Sequence, residues 1–130
     1  MRRLIAIVAV VLSSCQWASR RDQREEMRVV RAEAYAVEWL FELNQSEARF
    51  ESRTKGFGTL EDLHMMLVPD GFSASFRLAD ATAYSAAFRP TGNGRNGYFT
   101  DQSMIIRRCP RSEEPSVSCP PIDEPTLISK

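Results

Sequence analysis

The chain has 130 residues, enough for one small domain, and its 17 basic and 17 acidic residues balance to a formal net charge of zero. The basic residues are scattered along the chain and do not form a stripe. This balance gives no electrostatic reason to expect a nucleic-acid partner, and we predict none.

The first fourteen residues have the pattern of a secretory signal peptide. Arg2 and Arg3 precede an unbroken apolar run over residues 4–12, which two serines follow. The run reaches only about 14 Å as a helix, against roughly 30 Å for the hydrocarbon of a bilayer. We therefore expect residues 1–14 to be a removable signal and not a stable transmembrane span.

The residues Leu12-Ser13-Ser14-Cys15 resemble a bacterial lipobox, which has an aliphatic residue, two small residues and then the modified cysteine. The resemblance implies cleavage before Cys15 and acylation of its thiol, for example by palmitate, and of its new amino group. More than one acyl chain is needed for stable anchoring. Gln16 favours sorting to the outer membrane, and residues 15–19 would form a short tether. An ordinary secretory signal or an uncleaved anchor is the alternative.

One long helix is predicted from Arg20 to about Arg53, a rod of roughly 50 Å. Ser19 and Asp22 have the spacing of a capping box at its start. Apolar residues recur at steps of three and four, and we expect this stripe to cover the sheet. The stripe contains Met27, Val30, Ala34, Val37, Phe41 and Ala48, is widened by Leu40 and Leu43, and is interrupted at Asn44.

The predicted helix ends at Gly56 and Gly58, where a helix C-terminus needs a residue that can adopt positive φ. Thr59 and Asp62 then form a second capping-box pattern. A short extra helix is predicted from Leu60 to about Leu67.

The apolar period then changes from 3.6 to 2, which is typical of half-buried strands. Short consecutive strands with tight links pair antiparallel, so the sequence predicts an α+β domain over residues 20–109. Its long helix packs on a four-stranded antiparallel β-meander, with Trp39 under the sheet or a loop. The predicted strands cover residues 72–78, 83–89, 98–100 and 104–107.

Residues 110–130 form a proline-rich tail, which we expect to be irregular; Cys109 lies directly before it and Cys119 lies within it. Once lipid occupies Cys15, they are the only available pair, and secreted chains keep disulfides. A disulfide here would close a loop of about 11 residues. Free thiols are one alternative, and a metal site with the distant His64 is a poor one, because zinc requires four closely organised ligands.

The order of these elements resembles the headgroup of type IV pilins and pseudopilins. That family has a long N-terminal helix, a glycine-rich join, an antiparallel meander and a C-terminal disulfide loop. Four stretches carry the likeness over residues 36–107: Ala36–Leu63, Asp70–Phe76, Tyr84–Pro90 and Gly97–Arg107.

The chain departs from the family at its N-terminus. Pilins carry a Phe-Thr-Leu-Ile-Glu-like start after a peptidase-cut glycine, and a long apolar segment that forms the filament core. Here the apolar run is short and ends at the lipobox, and Met104 replaces the glycine usual before the final Ile-Arg. The resemblance therefore implies a retained headgroup with lipid in place of the polymerising segment.

Three functions are compatible with this reading. The first is a non-enzymatic lipid-anchored module of the cell envelope that faces the periplasm and binds another envelope protein or has a structural part. The second is a minor pilin or pseudopilin of a type IV pilus or type II secretion filament. The third is a small-molecule or glycan-binding lipoprotein that uses the Gly92–Gly97 loop with Tyr98 and Trp39. The sequence leaves the partner and the oligomeric state open.

No catalytic constellation is predicted, and no cofactor or metal site. His64 is the only histidine, and Asp80 and Asp101 are single turn carboxylates, so no acid–base pair is evident. Gly92-x-Gly94-x-x-Gly97 spells a dinucleotide-binding fingerprint. It lies between predicted strands without the βαβ unit that such binding requires.

Overall fold

The computed structural model describes the backbone of residues 2–67 and 70–122, and the side chains of residues 19–67 and 70–122. Within these ranges one helix packs on one antiparallel sheet with the strand order β1-β2-β3-β4. The predicted α+β class and the four-stranded meander are confirmed. The elements are α1 (Arg2–Thr54), β1 (Phe72–Asp80), β2 (Ala83–Pro90), β3 (Asn96–Asp101) and β4 (Arg107–Pro110).

The helix α1 begins much earlier than the sequence predicts. It runs unbroken through Ser19, so the predicted capping box is not formed. Residues 2–54 contain neither glycine nor proline, the two residues least favourable inside a helix, so no helix-breaking residue ends α1 within this range. No helix within the described residues is long and apolar enough to cross a bilayer.

The C-terminal end of α1 lies close to its predicted place, but another residue turns the chain. Lys55, with φ 64°, takes the left-handed conformation, and its N–H bonds the Glu51 carbonyl oxygen at 2.7 Å. Gly56 serves close packing, since an added Cβ would lie 3.0 Å from the Cβ of Ala81. Gly56 and Gly58 are therefore needed because a larger side chain would clash with its neighbours, and not because they adopt positive φ.

The predicted short extra helix is wrong. Its capping box does form: Thr59 N–H donates to Asp62 Oδ2 at 2.9 Å, and Asp62 N–H donates to Thr59 Oγ1 at 3.1 Å. The chain then makes only turns over residues 60–64, and His64 adopts φ 56°. The capping box is thus formed without a following helix, and its two hydrogen bonds stabilise a short segment of turns.

The strands follow the predicted alternation, except for the last. β1 pairs with β2 from Phe72 opposite Pro90 to Leu78 opposite Tyr84. The fourth strand was predicted at residues 104–107 but lies at Arg107–Pro110. Met104 takes φ 64°, which extended strands do not allow, and it places residues 102–104 in a turn.

The face of α1 that meets the sheet is only part of the predicted stripe. Val37, Leu40 and Leu43 are buried as predicted, whereas Met27, Val30 and Phe41 are 56%, 51% and 51% exposed. The buried side also includes two polar residues, Asn44, where the apolar pattern has a gap, and Glu47. The buried helix residues are Ala36, Val37, Trp39, Leu40, Leu43, Asn44 and Glu47.

Candidate functional site

Cys109 and Cys119 form the predicted disulfide, with their Cα atoms 5.2 Å apart. Both residues are buried against Phe99, and Ala87 packs beside them. Arg107 Nη1 donates to the Cys119 carbonyl oxygen at 2.9 Å. The bridge therefore fastens the start of the proline-rich tail to the β4 edge of the sheet. Residues 123–130 of that tail lie outside the described residues.

The side chain of Cys15 also lies outside the described residues, although its backbone belongs to α1. Its acylation stays a prediction.

Trp39 and Tyr98 are core residues. Trp39 is 8% exposed, its ring centroid lies 5.3 Å from that of Phe88, and its Nε1 donates to the Met66 carbonyl oxygen at 3.0 Å. Tyr98 is 1% exposed. The prediction that Trp39 packs under the sheet or a loop is confirmed. Both rings are occupied by core contacts in this structure.

The glycine-punctuated loop between β2 and β3 fastens the sheet to α1. Asn93 Nδ2 donates to Glu25 Oε2 at 2.6 Å, and the N–H of Asn96 donates to Glu33 Oε1 at 3.0 Å. Arg95 forms an ion pair with Glu26 at 3.1 Å. The loop is thus a structural clasp.

An open groove of ≈ 710 Å³ lies between this clasp, the start of β1 and α1. Arg28 and Arg31 line it beside Tyr35, Phe72 and Asp70. Basic, acidic and aromatic side chains all line the groove, so its walls give no indication of the charge of a ligand.

A buried polar cluster joins the middle of α1 to the sheet. Tyr84 donates its hydroxyl to Asn44 Oδ1 at 2.8 Å, and Asn44 Nδ2 donates to Thr100 Oγ1 at 2.9 Å. Thr100 Oγ1 lies 3.1 Å from the Ile105 carbonyl oxygen, to which it donates. Burial raises the pKa of Tyr84, and the nearby Glu47 charge adds to that rise. The cluster is neutral and satisfied, so it holds the register of α1 on β2 and β3.

Glu47 is fully buried one turn further along α1. Its Oε1 accepts the N–H of Gly58 at 2.8 Å, whereas Oε2 has no hydrogen-bond partner in the part of the chain that the structure describes. Burial raises the pKa of this carboxyl group, the Gly58 N–H lowers it, and the Asp62 charge raises it. Glu47 ties the exit of the helix back onto its last turns.

Part of the predicted stripe forms an apolar surface, which we call the apolar flank: Met27, Val30 and Phe41, which are exposed, and Ala34, which is half-buried. Phe41 lies beside Met104 of the β3–β4 turn, which is 39% exposed and is followed by Ile105, 41% exposed. Exposed charged residues border the flank on its outer side. Large apolar side chains grouped on one ordered helix are typical of a protein-binding surface.

Within the described residues, no three His, Cys, Asp or Glu side chains lie close enough together to hold a metal ion. His64 is exposed. Comparison of the chain with protein-family models, with curated proteins and with solved structures returns no match. The function must therefore be argued from the chain's own residues.

Sequence reasoning missed the roles of Asn44 and Glu47. The signal for them was present: each lies three or four residues from a buried leucine, Leu40 or Leu43, and thus on the same helix face. A polar residue in such a register predicts a buried hydrogen bond when a sheet covers that face.

Proposed function

We propose that the chain is a lipid-anchored, pilin-like protein of the bacterial cell envelope that acts as a non-enzymatic structural or protein-interaction module. The observation that carries the proposal is the apolar flank. Met27, Val30 and Phe41 remain half-exposed on a helix that buries Ala36, Leu40 and Leu43 in the core. Exposing such a patch costs solubility unless a partner covers it.

The likeness of residues 12–15 to a lipobox supports the anchor. The apolar run before Cys15 would direct export, and acyl chains on the mature N-terminus would hold α1 at the membrane. Gln16 supports an outer-membrane location facing the periplasm.

The pilin-like character rests on the sequence stretches over residues 36–107. One helix on a four-stranded antiparallel sheet, with the Cys109–Cys119 bridge beyond it, is compatible with the headgroup that those stretches imply. That compatibility extends to the architecture only.

A minor pilin or pseudopilin of a type IV pilus or type II secretion filament is the second candidate. The unbroken course of α1 from Arg2 to Thr54 favours it, because a filament subunit needs a long continuous helix. Such a subunit would carry a peptidase-processed, unacylated N-terminus. The mass of the mature N-terminal peptide therefore separates the two candidates.

Cross-linking of the full-length chain in its native membrane tests the interaction role. We expect the wild-type chain to give a protein cross-link that Phe41→Asp abolishes. Tyr35→Asp is the matched control, because Tyr35 is 55% exposed on the groove side of α1, outside the flank. Absence of any cross-linked protein with the wild-type chain, or equal cross-linking by both variants, would contradict the proposal.

A further inference from the structure

The apolar flank has a seven-residue repeat. Met27, Ala34 and Phe41 are seven residues apart, and Val30 lies between the first two. An apolar repeat of this period is typical of a helix that pairs with another helix. Along the outer border of the flank, the same step gives a second series, all of it exposed: Arg24, Arg31, Glu38 and Gln45.

The border series has a polarity along the helix, with arginines in its N-terminal half and Glu38 in its C-terminal half. The ion pairs among the described residues are Arg89 with Glu114 and Arg95 with Glu26. Within that part of the chain, neither Arg31 nor Glu38 is engaged in one. Both charges remain available to a molecule that docks on the flank.

We propose that a second copy of this chain packs antiparallel on the apolar flank, with Arg31 of each copy beside Glu38 of the other. The two-fold axis then passes between residues 34 and 35. Ala34, a small residue, lies at the crossing, where two helices approach most closely. Met27 of each copy meets Phe41 of the other, so the two largest apolar side chains of the flank are covered. One self-complementary patch thus closes a dimer.

Charge selects the antiparallel arrangement. In the antiparallel pair the same border of each helix meets, which forms two symmetric Arg–Glu contacts and brings Arg24 beside Gln45. In a parallel pair this border faces the opposite border of the partner helix, so the Arg31–Glu38 contacts are absent. The antiparallel register also brings Arg20 towards Arg49 of the second copy. Both side chains are exposed at the ends of the contact and can turn into solvent.

The inference rests on the proposed function in one respect. It takes the apolar flank as a protein-binding surface and identifies the bound protein as a second copy of this chain. An antiparallel pair also places the two N-termini at opposite ends. If both carry lipid, both reach one bilayer only when the helices lie along its surface. The arrangement therefore predicts a dimer that lies flat on the membrane.

Site-directed cross-linking of the full-length chain in membranes gives the first test. We expect Ala34→Cys to form a cross-linked homodimer with a short bis-maleimide, and Met27→Cys alone to form none. In the antiparallel pair the two copies of residue 27 are about 20 Å apart at 1.5 Å per residue. Co-expressed Met27→Cys and Phe41→Cys chains should cross-link to each other. Cys109 and Cys119 are bonded to each other and leave the added thiol reactive.

Charge exchange gives the second test and does not depend on the cysteine variants. Arg31→Glu places Glu beside Glu38 at two symmetric sites, and we expect dimer formation to weaken by about tenfold. Arg31→Glu with Glu38→Arg restores the two contacts and should restore the dimer. Arg53→Glu is the control, because Arg53 is exposed and lies away from the flank.

Each other outcome overturns the inference. A homodimer with Met27→Cys as strong as with Ala34→Cys means a parallel pair. Failure of the double exchange to restore dimers removes the charge argument. Cross-linking of Ala34→Cys to a different protein overturns the second copy as partner but leaves the proposed function standing, whereas no protein product at any flank position overturns both.

Discussion

Asn44 on α1 and Thr100 on β3 are joined by a buried hydrogen bond of 2.9 Å across 56 residues of sequence. Tyr84 on β2 completes the contact through Asn44 Oδ1. The residue that interrupts the apolar pattern of the helix is therefore the one that fixes the helix on the sheet. Its polarity sets which face of α1 is buried and leaves the apolar flank outside.

Asn44→Ala should destabilise the fold by about 2–4 kcal/mol, because the buried Tyr84 hydroxyl loses its acceptor and Thr100 Oγ1 loses the N–H that it accepts. Chemical denaturation followed by circular dichroism measures the change. Gln45→Ala is the control, since Gln45 is exposed beside it and should shift stability by less than about 0.5 kcal/mol. Equal effects of the two substitutions would show that the buried cluster contributes no stability.

Glu47→Gln should alter the pH dependence of stability. Burial raises the pKa of Glu47, so the folded protein holds its proton more tightly than the unfolded chain. The wild type therefore loses stability relative to the variant as pH rises from about 4.5 towards the raised value, and the difference is constant above it. Denaturation at several pH values between 4 and 8 measures the difference.

Asp80→Asn supplies a comparison of opposite sign. Hydrogen bonds from Thr82 lower the pKa of Asp80, so the wild type should lose stability relative to this variant as pH falls through the acid range. The stability difference between the wild type and Glu47→Gln should grow as pH rises. A difference that grows as pH falls, as expected for Asp80→Asn, or that does not vary with pH, would contradict the assignment of Glu47 as a buried carboxyl group with a raised pKa.

Gly58→Ala should cost about 1–3 kcal/mol through overpacking. An added Cβ would lie 2.8 Å from the Phe50 ring and 3.0 Å from the Asp62 Cβ. Phe50→Leu removes the ring, so the double variant should cost less than the sum of the two single changes in thermal denaturation. Strict additivity would place the strain elsewhere.

Replacing both Cys109 and Cys119 by Ser should lower stability by about 2–3 kcal/mol, as expected for closure of a short loop. The change should free the tail beyond β4 while β1, β2 and β3 stay paired. Native-state hydrogen exchange, compared with that of the wild type, measures both effects. Loss of protection across β1 would show that the bridge supports the whole sheet and not its edge alone.

The meander, the disulfide and the burial of Trp39 could be predicted from the sequence. Period-two alternation indicates strands, two remaining cysteines indicate one bridge, and a large aromatic side chain on a helix is usually buried. The sheet-facing side of α1 could not be predicted in the same way. Both sides of the helix carry apolar residues. The partners of Asn44 on β2 and β3, and the Gly58 N–H that Glu47 accepts after the helix ends, decide between them. The start of α1 was missed because a capping pattern at Ser19 does not end a helix that already precedes it.

The fourth strand and the short extra helix failed for a related reason. Met104 and His64 adopt positive φ, which the apolar pattern of the sequence does not predict. The Met104 carbonyl oxygen accepts from Asn44 Nδ2 at 3.3 Å, so a tertiary hydrogen bond contributes to the conformation at Met104. At His64 the bond is local, because its N–H donates to the Glu61 carbonyl oxygen at 3.1 Å.

The central claim is that a lipid on Cys15 anchors this domain, and the mass of the mature N-terminal peptide tests it most directly. We predict a peptide that begins at Cys15 and carries acyl chains on the thiol and on the amino group. A mature chain that begins at another residue, or a Cys15 without acyl mass, would contradict the account.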